Sequence, residues 1–197
     1  MLVQHVGVDR DDAEGSWGRR SSLAGGKGPG LSEVRCVGCG AMVPGGDGLI
    51  HAYMLSAPGC WERYCSLEEW KSGLAGAASI GIVQDLVDSF AVQHATSSDR
   101  RNTQSVAVHL ISLCAGLERG VTGRERRRLI GRWLGRAYPV VEPAPDAFGV
   151  TISDVTAVPV PERPSSVGRL AVASWSAWSA HHDTVRALLD SLSDDVG

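Results

Sequence analysis

Cys36-Val37-Gly38-Cys39-Gly40, followed later by Pro58-Gly59-Cys60-Trp61, constrains this chain more than any other feature. Two cysteines in C-x-x-C spacing, with glycine inside and after the pair, make a tight turn that aims both sulfurs at one point. A tetrahedral zinc ion takes that geometry from a knuckle. Proline suits the first turn of a helix, so Pro58 marks a helix start with Cys60 close behind it. There the helix dipole favours a thiolate. Cys36, Cys39 and Cys60 are therefore the expected metal ligands, with zinc as the expected ion.

The order knuckle, hairpin, helix resembles a treble-clef arrangement, in which the helix supplies the remaining ligands. Here a second ligand one turn on would fall at Arg63 or Tyr64, and neither suits zinc. Cys65 lies five residues on and is rotated away by about 140° at 3.6 residues per turn. Cys65 and Cys114 are read as small buried hydrophobes. The fourth place must come from elsewhere in the chain or from water. His51 is close in sequence. His94, His109 and His182 each fall on the apolar face of a separate helix. Burying three imidazoles without partners is costly, so at least one of His94 and His109 is expected at the metal, with His94 preferred. Asp85 and Asp88 precede His94 on its helix. A carboxylate beside a ligating histidine would fix its tautomer.

The 197 residues suit one domain, and the net charge of −3 exerts no general pull on nucleic acid or anionic lipid. No stretch of about 18 apolar residues is present, so no membrane-spanning helix is expected. The first residues lack a basic segment followed by an apolar one, which argues against a secretory signal. With five cysteines, an odd count, this favours thiols or metal ligands in a cytoplasmic protein over a disulfide framework. Lysine occurs only at Lys27 and Lys71 while arginine is abundant. That bias suggests a high-GC bacterial genome.

Along the chain, residues 1–30 read as a disordered tail in which Trp17 alone could dock. Residues 31–197 read as a single mainly helical domain, a small bundle with an N-terminal zinc-knuckle and β-hairpin element. The hairpin turn is expected at Pro44-Gly45-Gly46-Asp47-Gly48, with Leu49–Met54 as a strand. Helices are expected over 61–70, 79–94, 103–118 (capped by Thr103), 124–136 and 165–192. Val150-Thr151-Ile152 and Val155 read as a short strand or extended arm. Arg124, Arg126, Arg127, Arg128, Arg132 and Arg136 form a basic run. Its apolar residues fall at helical spacing and no aromatic platform is interleaved, so it reads as a solvated helix face and nucleic acid is not expected. Trp175, Trp178, His181 and His182 are dense for a surface segment and read as a core stripe or as a pocket wall. There is no P-loop, no G-x-G-x-x-G after a strand, no G-x-S-x-G elbow and no H-E-x-x-H. The H-x-E…P-C-x-x-C deaminase pattern is absent too.

Taken together, C-x-x-C-G, H-x-Y-x-x-S-x-P-G-C-W, A-V-Q-H, Q-S-V-A-V-H-L and W-x-x-W-x-x-H-H resemble an uncharacterised bacterial family, a domain of unknown function, over Cys36 to His182. The resemblance implies that Cys36, Cys39, Cys60, His94 and His109 belong to one signature, and it implies no activity. Ala95-Thr96 departs from it, since the family pattern has proline-glycine there.

Three functional classes follow. The first is a zinc-dependent enzyme on a small molecule in specialised metabolism, with His109, His182 and Asp88 as acid–base groups. The second is a zinc-stabilised module that binds protein or nucleic acid. The third is a thiol-redox protein using Cys36 and Cys39.

Overall fold

The computed structural model describes residues 32–51, 54–96, 100–133, 138–139, 141–142 and 144–194. The N-terminal tail reading, with Trp17, lies outside them, as does Arg136. The described chain is mainly helical with one small two-stranded hairpin.

In that hairpin, β1 (Glu33–Arg35) runs antiparallel to β2 (Met42–Pro44), with Val34 opposite Val43. Its turn is the cysteine knuckle itself. The Cys36 amide donates to Ala41 O at 2.8 Å and the Gly40 amide to Cys36 O at 2.9 Å. Gly40 takes φ +77°, a conformation that costs glycine nothing. The turn expected at Pro44–Gly48 and the strand over Leu49–Met54 are thus corrected. Beyond Pro44 the Gly45 amide donates to Ser32 O at 3.0 Å, and the pairing of β1 and β2 ends there. Leu49–His51 remain irregular, with Leu49 and Ile50 exposed.

The helix expected over 61–70 is two helices, α1 (Pro58–Cys65) and α2 (Glu68–Gly73). Leu67 between them is fully buried, and its amide turns back to Tyr64 O at 3.2 Å, tightening the chain into a corner. Cys65, expected in the core, is exposed, while Cys114 is buried.

The centre of the bundle is α3 (Ala77–Gln93), buried on every side from Leu86 to His94. It packs on α4 (Arg100–Arg119), α5 (Gly123–Trp133) and α7 (Arg163–Ala177). Thr103 lies inside α4 rather than at its cap. The segment read as a strand or arm is a short helix, α6 (Ile152–Ala157). The Thr151 hydroxyl accepts the Ser153 amide, and the Asp154 carboxylate accepts the Thr151 amide at 2.7 Å. This capping box outweighs the β-branched composition.

The single helix expected over 165–192 is also two, α7 and α8 (His182–Asp194), joined by a 3₁₀ turn at Ser179–His181. Trp178 is sealed in the core and donates its indole N–H to Val92 O at 3.3 Å. His182 folds back to donate Nε2–H to Trp175 O at 2.9 Å and stacks on the Trp175 ring at 3.8 Å. These contacts stabilise the corner. Gln93, fully buried, fastens α3 to its surroundings, donating to Val150 O at 2.7 Å and to Ser174 Oγ of α7 at 2.9 Å.

A candidate metal centre at the knuckle

Cys36, Cys39, Cys60 and His94 come together, and their ligand atoms all lie within 4.8 Å of one another. Each arrives by a different local device. The knuckle presents Cys36 and Cys39. Cys60 stands in the first turn of α1, which approaches the hairpin closely because Gly59 has no side chain. A Cβ there would sit 2.4 Å from Pro44 O. His94 caps the C-terminus of α3, and its own carbonyl accepts the Leu55 amide at 3.0 Å. Gly38 lets the knuckle lie flat on that helix end. A Cβ at Gly38 would stand 2.4 Å from Leu55 O and 2.7 Å from His94 Cδ2.

The spacings suit one small cation. Cys39 Sγ and Cys60 Sγ are 3.7 Å apart, and Cys60 Sγ is 3.2 Å from His94 Nε2. A tetrahedron with metal–sulfur bonds of about 2.3 Å has sulfur–sulfur edges of about 3.8 Å. His94 Nδ1 donates to Phe90 O at 2.7 Å. A carbonyl only accepts, so Nδ1 keeps its proton and Nε2 is the nitrogen that can give a lone pair to a metal. That is the tautomer a metal requires. The Ala57 amide points at Cys36 Sγ from 3.4 Å and offsets part of its negative charge.

Electrostatics also favour a cation here. All four side chains are sealed from solvent. Hydrogen bonds from Cys39 and Cys60 drive the Cys36 thiol strongly down. Its bonds to Cys36 and Cys39, with burial, drive Cys60 strongly up. Burial opposes charge on His94, but the bonds to Cys36 and Cys39 outweigh it and lift the ring to about 9. Without a cation, burial and the mutual hydrogen bonds pull these groups in opposite directions. A dication removes the conflict by accepting every sulfur as thiolate. Three thiolates and an imidazole are soft donors, which suit zinc and not magnesium or calcium.

The other histidines go elsewhere. His51 meets the edge of Trp61, ring centres 4.9 Å apart. His182 binds Trp175 O. His109 Nδ1 meets Asp88 Oδ1 at 2.7 Å, so Asp88 serves His109 and not His94. The three helix-borne imidazoles therefore do not converge, and each finds its own partner. Trp175 and Trp178 are buried and bonded, as the core-stripe reading required.

One residue of this second cluster was misread. Arg124, Arg127, Arg128 and Arg132 are solvated as expected, but Arg126 is buried. Its guanidinium donates to Asp85 Oδ1 at 2.7 Å and to Ser112 O at 3.3 Å, and lies 3.5 Å from Asp88 Oδ2. Spacing held the clue, since Arg126 shares the stripe of Leu129, Ile130 and Trp133 at helical intervals. Burial raises the Asp85 carboxyl against the pull of that guanidinium.

The described chain is thus mainly helical, with a Cys3His cluster that could hold a metal ion at the junction of a knuckle and two helices. Residues 34–179 match the model of DUF5946, described as a family of unknown function, and the chain belongs to that family. No curated protein and no solved structure matches it.

Proposed function

We propose that Cys36, Cys39, Cys60 and His94 hold one zinc ion and that the ion's work is structural. The observation that carries this reading is the closed donor set. Four protein ligands of the right kind suffice for a tetrahedron, whereas catalytic zinc keeps one position for water or substrate. The ion would pin the hairpin and the start of α1 to the end of α3. The chain is then a zinc-stabilised module, and any chemistry on a small molecule is carried away from the metal. A redox role for Cys36 and Cys39 is less well supported, because both sulfurs are sealed and share the cluster with Cys60 and His94.

The test is elemental analysis and X-ray absorption on protein purified without added metal. One zinc per chain, with three sulfur and one nitrogen neighbours, supports the reading. An oxygen neighbour in place of nitrogen would favour the catalytic alternative. Absence of metal beside titratable thiols would favour the redox one.

A further inference from the structure

Asp88 is completely buried in the middle of α3 and receives more donors than its charge requires. Oδ1 accepts Gln84 Nε2 at 2.8 Å and His109 Nδ1 at 2.7 Å. Oδ2 accepts the Ser112 hydroxyl at 2.5 Å and faces Arg126 Nη1 at 3.5 Å. Tight glycine packing supports this assembly. A Cβ at Gly116 of α4 would stand 2.7 Å from Arg126 Cζ, and one at Gly123 of α5 would stand 2.4 Å from Gly81 Cα. Arg126, Ser112 and Gln84 would by themselves satisfy the buried carboxylate. His109 is the member that reaches outward, with 13% of its side chain exposed. Its Nε2 has no partner among the described residues. Because the carboxylate only accepts, Nδ1 carries the proton and Nε2 presents a lone pair to the surface.

We propose that His109 is the acid–base group of a second site on the α3–α4 face, with Asp88 as its positioning residue and a neutral or cationic ligand whose O–H meets Nε2. An imidazole held through Nδ1 by a buried carboxylate, with Nε2 outward, is the arrangement that lets a histidine take up a proton and be stabilised as imidazolium. The charge balance selects the ligand. Asp85 and Asp88 outnumber Arg126, whose guanidinium is spent on them, so the buried groups behind the ring offer an anion no counter-charge. The metal centre is separate. Asp88 and His94 are six residues apart on α3, about 9 Å along the axis and about 120° around it. The proposal does not depend on which ion, if any, fills the cysteine cluster.

The probe is hydrolysis of p-nitrophenyl acetate by the protein as purified. His109 Nε2 takes a proton from water as the water oxygen bonds to the acetyl carbon. The bond to nitrophenolate then breaks, that oxygen leaves with the electron pair, and the ring returns its proton to solvent. H109Q should lower the rate at least about tenfold, since positioned acid–base groups contribute about 10²–10⁴. An H109Q rate equal to wild type overturns the proposal. D88N should lower the rate comparably and switch the ring, read by ¹⁵N NMR, from the Nδ1–H to the Nε2–H tautomer. A folded D88N with unchanged tautomer and rate overturns the positioning role. Two measurements need no variant. Wild-type His109 should show the Nδ1–H tautomer. It should also be carbethoxylated by diethyl pyrocarbonate at least about tenfold faster than His182, whose Nε2 is engaged, a margin of the order that separates a working acid–base group from a bystander. The opposite tautomer, or labelling no faster than His182, overturns the proposal even if D88N fails to fold.

Discussion

His94 Nε2 stands 3.2 Å from Cys60 Sγ although 34 residues separate the two in the chain. Both lie at helix ends, one at the C-terminus of α3 and the other at the start of α1. Helix ends carry backbone groups that the helix cannot satisfy. Here those groups are used locally, His94 O taking the Leu55 amide and Phe90 O taking His94 Nδ1. The geometry of the Cys3His cluster and the termination of these helices are therefore coupled, and disturbing one disturbs the other.

Chelation should accordingly unfold more than the knuckle. Structural zinc contributes about 10–16 kcal/mol in small zinc-binding peptides, and that binding energy is folding energy. Removing the metal with a strong chelator should lower Tm by about ten degrees or more, as a loss of about 5 kcal/mol would in a domain of this size at about 2–4 °C per kcal/mol. Scanning calorimetry with and without chelator checks it. Cys39→Ser should reproduce the chelated melt and lose its zinc.

Gly38→Ala should damage the centre without touching a ligand. The added methyl would lie against Leu55 O and His94 Cδ2, neither of which can move without dragging the end of α3. Overpacking of this kind costs about 1–3 kcal/mol or more. A lower denaturation midpoint together with weakened zinc retention is expected. An unchanged midpoint would mean that the knuckle does not sit on His94 as described.

Gln93→Leu should cost about 1–3 kcal/mol. The substitution removes the donor to Val150 O and Ser174 Oγ and leaves buried acceptors unpaired. Urea unfolding at constant slope checks it. Zinc content should stay at one per chain, which separates this packing defect from the Gly38 one.

Thr151→Ala should cost about 1 kcal/mol, the usual worth of an N-cap. The loss should appear as faster amide exchange confined to α6 and the α7 residues packed on it, a readout that a global effect would not give.

Glu118 makes acid stability testable. The Arg186 guanidinium, with the Trp175 indole, holds its carboxyl down to about 2 from an ordinary 4.5. A depressed carboxylate contributes stability that is present above pH 4.5 and is lost as pH falls towards 2. Wild type should therefore lose more stability than Glu118→Gln across that window. Equal losses in paired denaturant titrations would show that the Arg186 contact is inert in solution.

Much of the fold was readable from spacing alone. The knuckle, the start of α1 at Pro58, the bodies of α3, α4 and α5, and three of the four clustered side chains follow from local chemistry. The rest was set by interactions that outweigh local pattern. At Leu67 and Trp178 the chain breaks a helix because a side chain is worth more inside the core than the lost helical bonds. At Thr151 a cap two or three residues long overrides a strand-like composition. At Arg126 a charged side chain lies on an apolar stripe and is buried because Asp85 and Asp88 pair with it.

By itself, the sequence determined that two cysteines share a turn, that a third opens a helix, and that most helices carry one apolar face. These are short-range consequences of glycine, proline and the helical period. Only the tertiary structure decided which histidine completes the cluster. His94 and His109 are equivalent as residues on apolar faces. The approach of the knuckle to the end of α3, permitted by Gly38, gives His94 to the sulfurs. The packing of α4 and α5 on α3, with Gly116 making room for the Arg126 side chain and Gly123 letting α5 approach Gly81, gives His109 to Asp88.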